Sequence, residues 1–241
     1  MASYLATVQI NDYKVVTSTS ASGIRIRNYF LQDTPVEVQS GFDKTGAMLD
    51  YMSDLIAPYP YDTYGVVLIN ETASWALETQ TLSTFGMDGA NRETTVFHEL
   101  VHSWFGDSVS PATWQDTWLN EGFAMYFEAL WLDHTGKRSV DDTMDEVYDM
   151  VVSQKMTPPA KPVKETIFGG SVYYRGAYAL HALRKVVGDD LFFGILRTYY
   201  AQYQGSSAST ADFEAIVAAK GGKDAEKVLH DWLYADKVPG R

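Results

Sequence analysis

Apolar and polar residues alternate along three short stretches near the start of the chain, 4–10, 13–19 and 24–30, separated by Asn11-Asp12 and Ser22-Gly23. A period of two sends successive side chains to opposite faces, so this pattern predicts three strands joined by turns. From 42 to 57 the spacing becomes helical: Met48, Leu49, Met52, Leu55 and Ile56 share a face, and Pro58 and Pro60 end it. Residues 64–69 read as a buried strand and 74–78 as a neighbouring edge strand. A Gly-containing loop, 85–91, leads into a helix predicted from about 93 to 105 and stopped by Gly106. A second long helix is predicted over 118–133, with Gly136 as its stop.

Beyond Val140 the pattern is almost wholly helical, with helices predicted at 140–154, 173–187, 189–203, 211–219 and 224–234 and a connector containing Pro158, Pro159 and Pro162. The expected fold class is therefore α+β, a mixed β-sheet lobe to about residue 107 followed by a mainly helical lobe. A site is expected in the cleft between two such lobes.

Composition narrows the possible chemistry. Sixteen Tyr, eleven Phe and six Trp in 241 residues require a sizeable core. A net charge of −12 repels phosphate backbones, which argues against nucleic acid as a partner. The absence of Cys excludes disulfides, thiolate zinc sites and Cys nucleophiles. No apolar run approaches the ~20 residues of a membrane helix. The opening MASYLATVQIND lacks the basic and apolar regions of a signal peptide, and the compartment is not legible.

The strongest chemical signal is HELVH at 98–102. Residues four apart on a helix differ by ~40° in direction and ~6 Å in height, so the imidazoles of His98 and His102 can reach one ion. Glu99 lies ~100° round the helix from His98, a direction suited to a carboxylate beside a metal-bound water, so its expected role is general base. A catalytic zinc needs a third protein ligand and an open position. Glu121, nineteen residues after His102 on the next predicted helix, supplies it. An isolated Glu would read as a solvated helix carboxylate. This one sits inside the apolar run WLNEGFAMYF, where an uncompensated charge is costly and metal ligation explains it.

HELVHSWFG followed by WLNEGFA resembles the gluzincin aminopeptidases of the aminopeptidase N (membrane alanyl aminopeptidase) family, over roughly residues 33–238. The resemblance implies a thermolysin-like metallopeptidase catalytic domain holding one Zn2+ through His98, His102 and Glu121. Met125, where thermolysin carries an Asp, favours the aminopeptidase branch. It further implies that Glu78, in Trp75-Ala76-Leu77-Glu78-Thr79-Gln80, binds the free α-amino group of a peptide, although the flanking residues depart from the family's Gly-Ala-Met-Glu-Asn segment. Tyr173, three residues before Gly176, corresponds to the Tyr whose hydroxyl stabilises the oxyanion, with Arg175 in place of the usual Lys. Family members begin with a large β-rich domain, so residues 1–30 are expected to be its terminal strands and 31–241 the catalytic domain.

The expected activity is zinc-dependent hydrolysis of the N-terminal peptide bond of peptides bearing a free amine. Three alternatives use the same framework: a thermolysin-like endopeptidase, which has no need of Glu78, a non-catalytic scaffold of the same fold, and hydrolysis of an epoxide.

Overall fold

The computed structural model describes residues 2–241 and divides into two compact units, one ending at Ser108 and one running from Val109 to Arg241. The first holds a five-stranded sheet of β1 (Tyr13–Thr19), β2 (Arg25–Leu31), β3 (Thr63–Leu68), β4 (Ala76–Leu77) and β5 (Ser83–Phe85) in the order β1-β2-β3-β5-β4. β1 and β2 form an antiparallel hairpin; β2, β3 and β5 run parallel, and β4 closes the far edge antiparallel to β5. The parallel step from β2 to β3 is made through α1 (Val36–Ser40) and α2 (Thr45–Leu55), as parallel pairing requires a long crossover. α3 (Glu93–Val101) follows. Met48, Leu49 and Met52 of α2, Val66, Val67 and Leu68 of β3, and Val96, Phe97 and Leu100 of α3 are fully buried and form the core of this unit.

β2 pairs with β3 as well as with β1, so residues 13–31 contribute two strands to this sheet. The strand expected over 4–10 does not form. Ser3–Leu5 is a 3-10 turn, the next residues pair with no strand, and Val8 and Ile10 are 86% and 91% exposed. Alternation records which side chains could share a face, but a strand needs a partner ladder. The segment is instead pinned at Leu5, whose carbonyl accepts the Gln80 N–H (3.0 Å), and at Tyr4, whose hydroxyl donates to Glu78 Oε1 (2.7 Å).

The second unit is helical: α4 (Trp118–His134), α5 (Val140–Ser153), α6 (Gly176–Val187), α7 (Asp189–Tyr203) and α8 (Thr210–Tyr234). A short parallel pair joins β6 (Val109–Pro111) to β7 (Ser206–Ala208). α4 is buried on nearly every side, from Trp118 to Trp131, which explains an apolar run without an amphipathic stripe. Its Trp118 and Phe123 pack with Tyr199 of α7 and Phe213 of α8, with ring centroids 5.1–5.9 Å apart. The two helices predicted at 211–219 and 224–234 are the halves of α8, broken at Gly222, whose φ of 75° is left-handed and costs glycine little. Among the described residues no helix is long and apolar enough to cross a membrane.

One carboxylate ties the entry of α4 to the start of α8. Asp116 Oδ2 accepts the Thr113 N–H (3.1 Å) and hydroxyl (2.8 Å), while Oδ1 accepts the Thr210 N–H (2.8 Å) and hydroxyl (2.9 Å). Asp116 and Thr210 are buried, so truncation strands the two Thr210 donors away from water, while those of exposed Thr113 can turn to solvent. Asp116→Ala should lose about 3 kcal/mol of unfolding free energy, and Asp116→Asn less. Denaturant unfolding checks this; a loss below about 1 kcal/mol would show that the latch is idle.

Candidate metal centre and active site

α3 begins at Glu93, with a carboxylate in its first turn, and carries the buried run Val96–Val101. His102 stands at its C-cap, its N–H bonded to the His98 carbonyl at 3.4 Å. The helix ends four residues before the predicted 105. Residues 102–104 continue as hydrogen-bonded turns, and Gly106 takes a φ of 141°. The end of the helix is held from behind: buried Trp104 donates its indole N–H to the Ala57 carbonyl (2.8 Å) and stands edge-on to Tyr59. Trp104 and Phe105 are both core residues.

The rings of His98 and His102 lie with centroids 4.8 Å apart and planes at 75°, both largely shielded from solvent. His102 Nδ1 is 3.0 Å from the Phe105 carbonyl oxygen. A carbonyl can only accept, so Nδ1 carries the proton and the ring lone pair lies on Nε2. That is the tautomer a metal-ligating histidine needs, its second nitrogen oriented by a backbone acceptor.

Carboxylates gather beside these rings in the same unit. Donor atoms of Glu78, Glu99 and His102 lie within 4.8 Å of one another, and both Glu residues are buried. Glu78 follows directly on β4. Taken as a lone residue it would read as an exposed strand end, but it is only 5% exposed, with Tyr4 donating to it. Asp107, which the sequence reading did not single out, is also buried, its N–H bonded to the His102 carbonyl (2.9 Å). Burial, with Glu78 and Glu99 nearby, pushes its carboxyl well above the usual range, while His102 works in the opposite direction. The only signal for it in the sequence is its place just after HELVHSWFG.

In the second unit, Glu121 lies buried in the first turn of α4. The next residue, Gly122, meets Gly176 so closely that a Cβ on it would stand 2.9 Å from the Gly176 carbonyl carbon. Only glycine permits that approach, and it sets the first turn of α4 against the first turn of α6. Immediately before α6, Ser171–Arg175 forms a π-helical turn, with the Gly176 N–H bonded to the Ser171 and Tyr173 carbonyls. Such turns rotate side chains out of the α-helical register and recur at functional sites. Tyr173 sits in the middle of it. Asp116 is committed to Thr113 and Thr210, which accounts for its burial without a role toward a metal.

Within the first unit, Glu78, Glu99 and His102 form one set of donors that could hold a metal ion. The set expected from the sequence, His98, His102 and Glu121, comprises two imidazoles and one carboxylate, each buried, the complement that catalytic zinc takes in His2Glu sites.

Residues 40–232 match the peptidase family M1 domain. The chain is 26% identical to glutamyl aminopeptidase of Sus scrofa over 96% of its own length and 27% of that protein. It is 29% identical to aminopeptidase N of Mus musculus, over 88% of this chain and 25% of that one. A crystal structure of the M1 zinc metallopeptidase from Deinococcus radiodurans superposes with a TM-score of 0.88 at 34% identity, covering 95% of this chain and 53% of the other. This chain thus spans about a quarter of the length of those two aminopeptidases. With more than half of its length matched, the chain belongs to the peptidase M1 family.

Proposed function

We propose that this chain is the thermolysin-like catalytic domain of a zinc aminopeptidase, with His98, His102 and Glu121 as the metal ligands. The observation that carries the reading is the buried pair of imidazoles on α3, with the His102 tautomer fixed by the Phe105 carbonyl so that Nε2 can bind an ion. Of the two donor sets, His2Glu is the one zinc favours, and it leaves Glu99 and Glu78 for substrate and water. Bound zinc polarises the scissile carbonyl and brings the pKa of water from 15.7 to ~7.

The remaining steps belong to the side chains. Glu99 accepts the proton of the attacking water and delivers it to the leaving amine. The Tyr173 hydroxyl donates to the oxygen that gains charge, where loss of one donor typically costs ~10²–10³ in turnover. Glu78 accepts from the substrate ammonium, so the free N-terminus, held there, sets which carbonyl is attacked. An amine-binding carboxylate makes the enzyme an exopeptidase by charge, because an acylated N-terminus has no cation to offer. The resemblance adds a β-rich domain preceding the catalytic one, which would furnish a second contact to the same amine.

The test compares an aminoacyl fluorogenic amide with its N-acetylated twin. The free amine should be cleaved at least ~100-fold faster, and Glu78→Gln should shrink the ratio mainly by raising KM for the free amine. Equal rates on both substrates would make the chain an endopeptidase. Zinc-loaded protein without activity on any of a panel of such amides would support the scaffold reading.

A further inference from the structure

Arg175, two residues beyond Tyr173 in the same π turn, is fully buried, which is rare for an arginine. Its hydrogen bonds go to main-chain carbonyls and to no carboxylate: Nε donates to Trp232 O (3.0 Å), Nη1 to Met156 O (2.9 Å) and Nη2 to Ala235 O. Met156 lies just beyond the end of α5, and Trp232 and Ala235 at the C-terminal end of α8. The last carbonyls of a helix lack intrahelical partners and carry its negative dipole end, so a cation is well accommodated there. Burial lowers the guanidinium to about 10, which leaves it charged at neutral pH. Arg175 thus anchors from one end the turn that carries Tyr173.

We propose that Arg175 is a positioning residue for Tyr173, clamping the π turn to the carbonyls at the ends of α5 and α8 and so fixing where the phenol hydroxyl points. The assignment rests on the reading of Tyr173 as oxyanion donor. Three N–H bonds in the fixed plane of a guanidinium hold a turn in orientation as well as in place, which a single contact would not do. A donor serving a transition state tolerates little misplacement, so loosening the clamp should lower kcat and leave substrate binding nearly intact.

The experiment is a double-mutant cycle in the full chain, with zinc content and thermal unfolding measured for every variant. Arg175→Gln should lower kcat about 10-fold with KM changed less than about 3-fold, and Arg175→Lys, which keeps the charge but not the planar fork of donors, should recover only part of the loss. In a Tyr173→Phe background the Arg175→Gln change should cost less than about 2-fold, because the hydroxyl it positions is gone. Equal losses in the two backgrounds, or a loss carried by KM, would overturn the proposal and leave Arg175 a purely structural anchor. Tyr173→Phe with full turnover would instead remove the oxyanion role itself, and the clamp's function with it. A readout independent of turnover uses fluorotyrosine-labelled, zinc-free protein. The 19F line lost in Tyr173→Phe should move in Arg175→Lys, below its melting temperature, and an unmoved line would refute the coupling.

Discussion

Glu99→Gln is expected to bind zinc with the stoichiometry of the unmodified chain and to lose ~10³–10⁴ in turnover. A general base typically contributes 10²–10⁴, and the upper part of that range applies because one group here both accepts the proton and hands it on. The substitution suits the site. Glu99 is buried in α3, so a shorter residue would open a cavity, whereas Gln conserves volume and hydrogen-bonding reach. It also removes one negative charge near Glu78 and Asp107, easing a repulsion that adds to the larger effects of burial and Glu78 on the Asp107 carboxyl. The folded protein should therefore be at least as stable as before. Elemental analysis, unfolding and amide hydrolysis on one preparation check the three expectations together, and near-normal turnover would remove Glu99 from the reaction.

Glu121→Ala should abolish stoichiometric zinc retention during dialysis against a chelator. Removing even a group that only supports a ligand weakens metal affinity ~10–100-fold, and loss of a direct ligand should exceed that. Glu121→Gln separates charge from volume: it keeps the packing of the first turn of α4, where the Gly122–Gly176 contact leaves no room for rearrangement, and should still weaken the metal. The same measurement decides between the two donor sets. If Glu121→Ala keeps its zinc and Glu78→Ala loses it, the ion belongs with Glu78, Glu99 and His102.

Legibility in the sequence followed the range of the interactions involved. α2, α4, α5 and α7 were readable because a helix writes its own period into the chain, and β1, β2 and β3 because each is long enough to alternate or to run apolar. β5, β6 and β7 have three residues each and exist only because distant strands accept their hydrogen bonds. The segment 4–10 shows the reverse failure, alternation with no ladder to join. Near the candidate site, the HELVH spacing marked a pair of histidines from local geometry alone. The burial of Glu78 and Asp107 is a tertiary fact: one follows a two-residue strand and the other lies beyond the end of α3, and neither has a periodic neighbourhood. Arg175 was visible only as a departure from a motif. Its burial depends on carbonyls 19, 57 and 60 residues away along the chain.

The atom that sets the His102 tautomer is a main-chain oxygen, that of Phe105. Side-chain replacement cannot delete a carbonyl, so the proton stays on Nδ1 in any variant that preserves the bend after α3. This feature of the imidazole is out of reach of ordinary point substitution. The vulnerable position is Gly106 next door, where a φ of 141° excludes every residue with a Cβ from settling comfortably. A mutational scan of the loop should therefore find its sharpest effect on metal retention at a residue with no side chain.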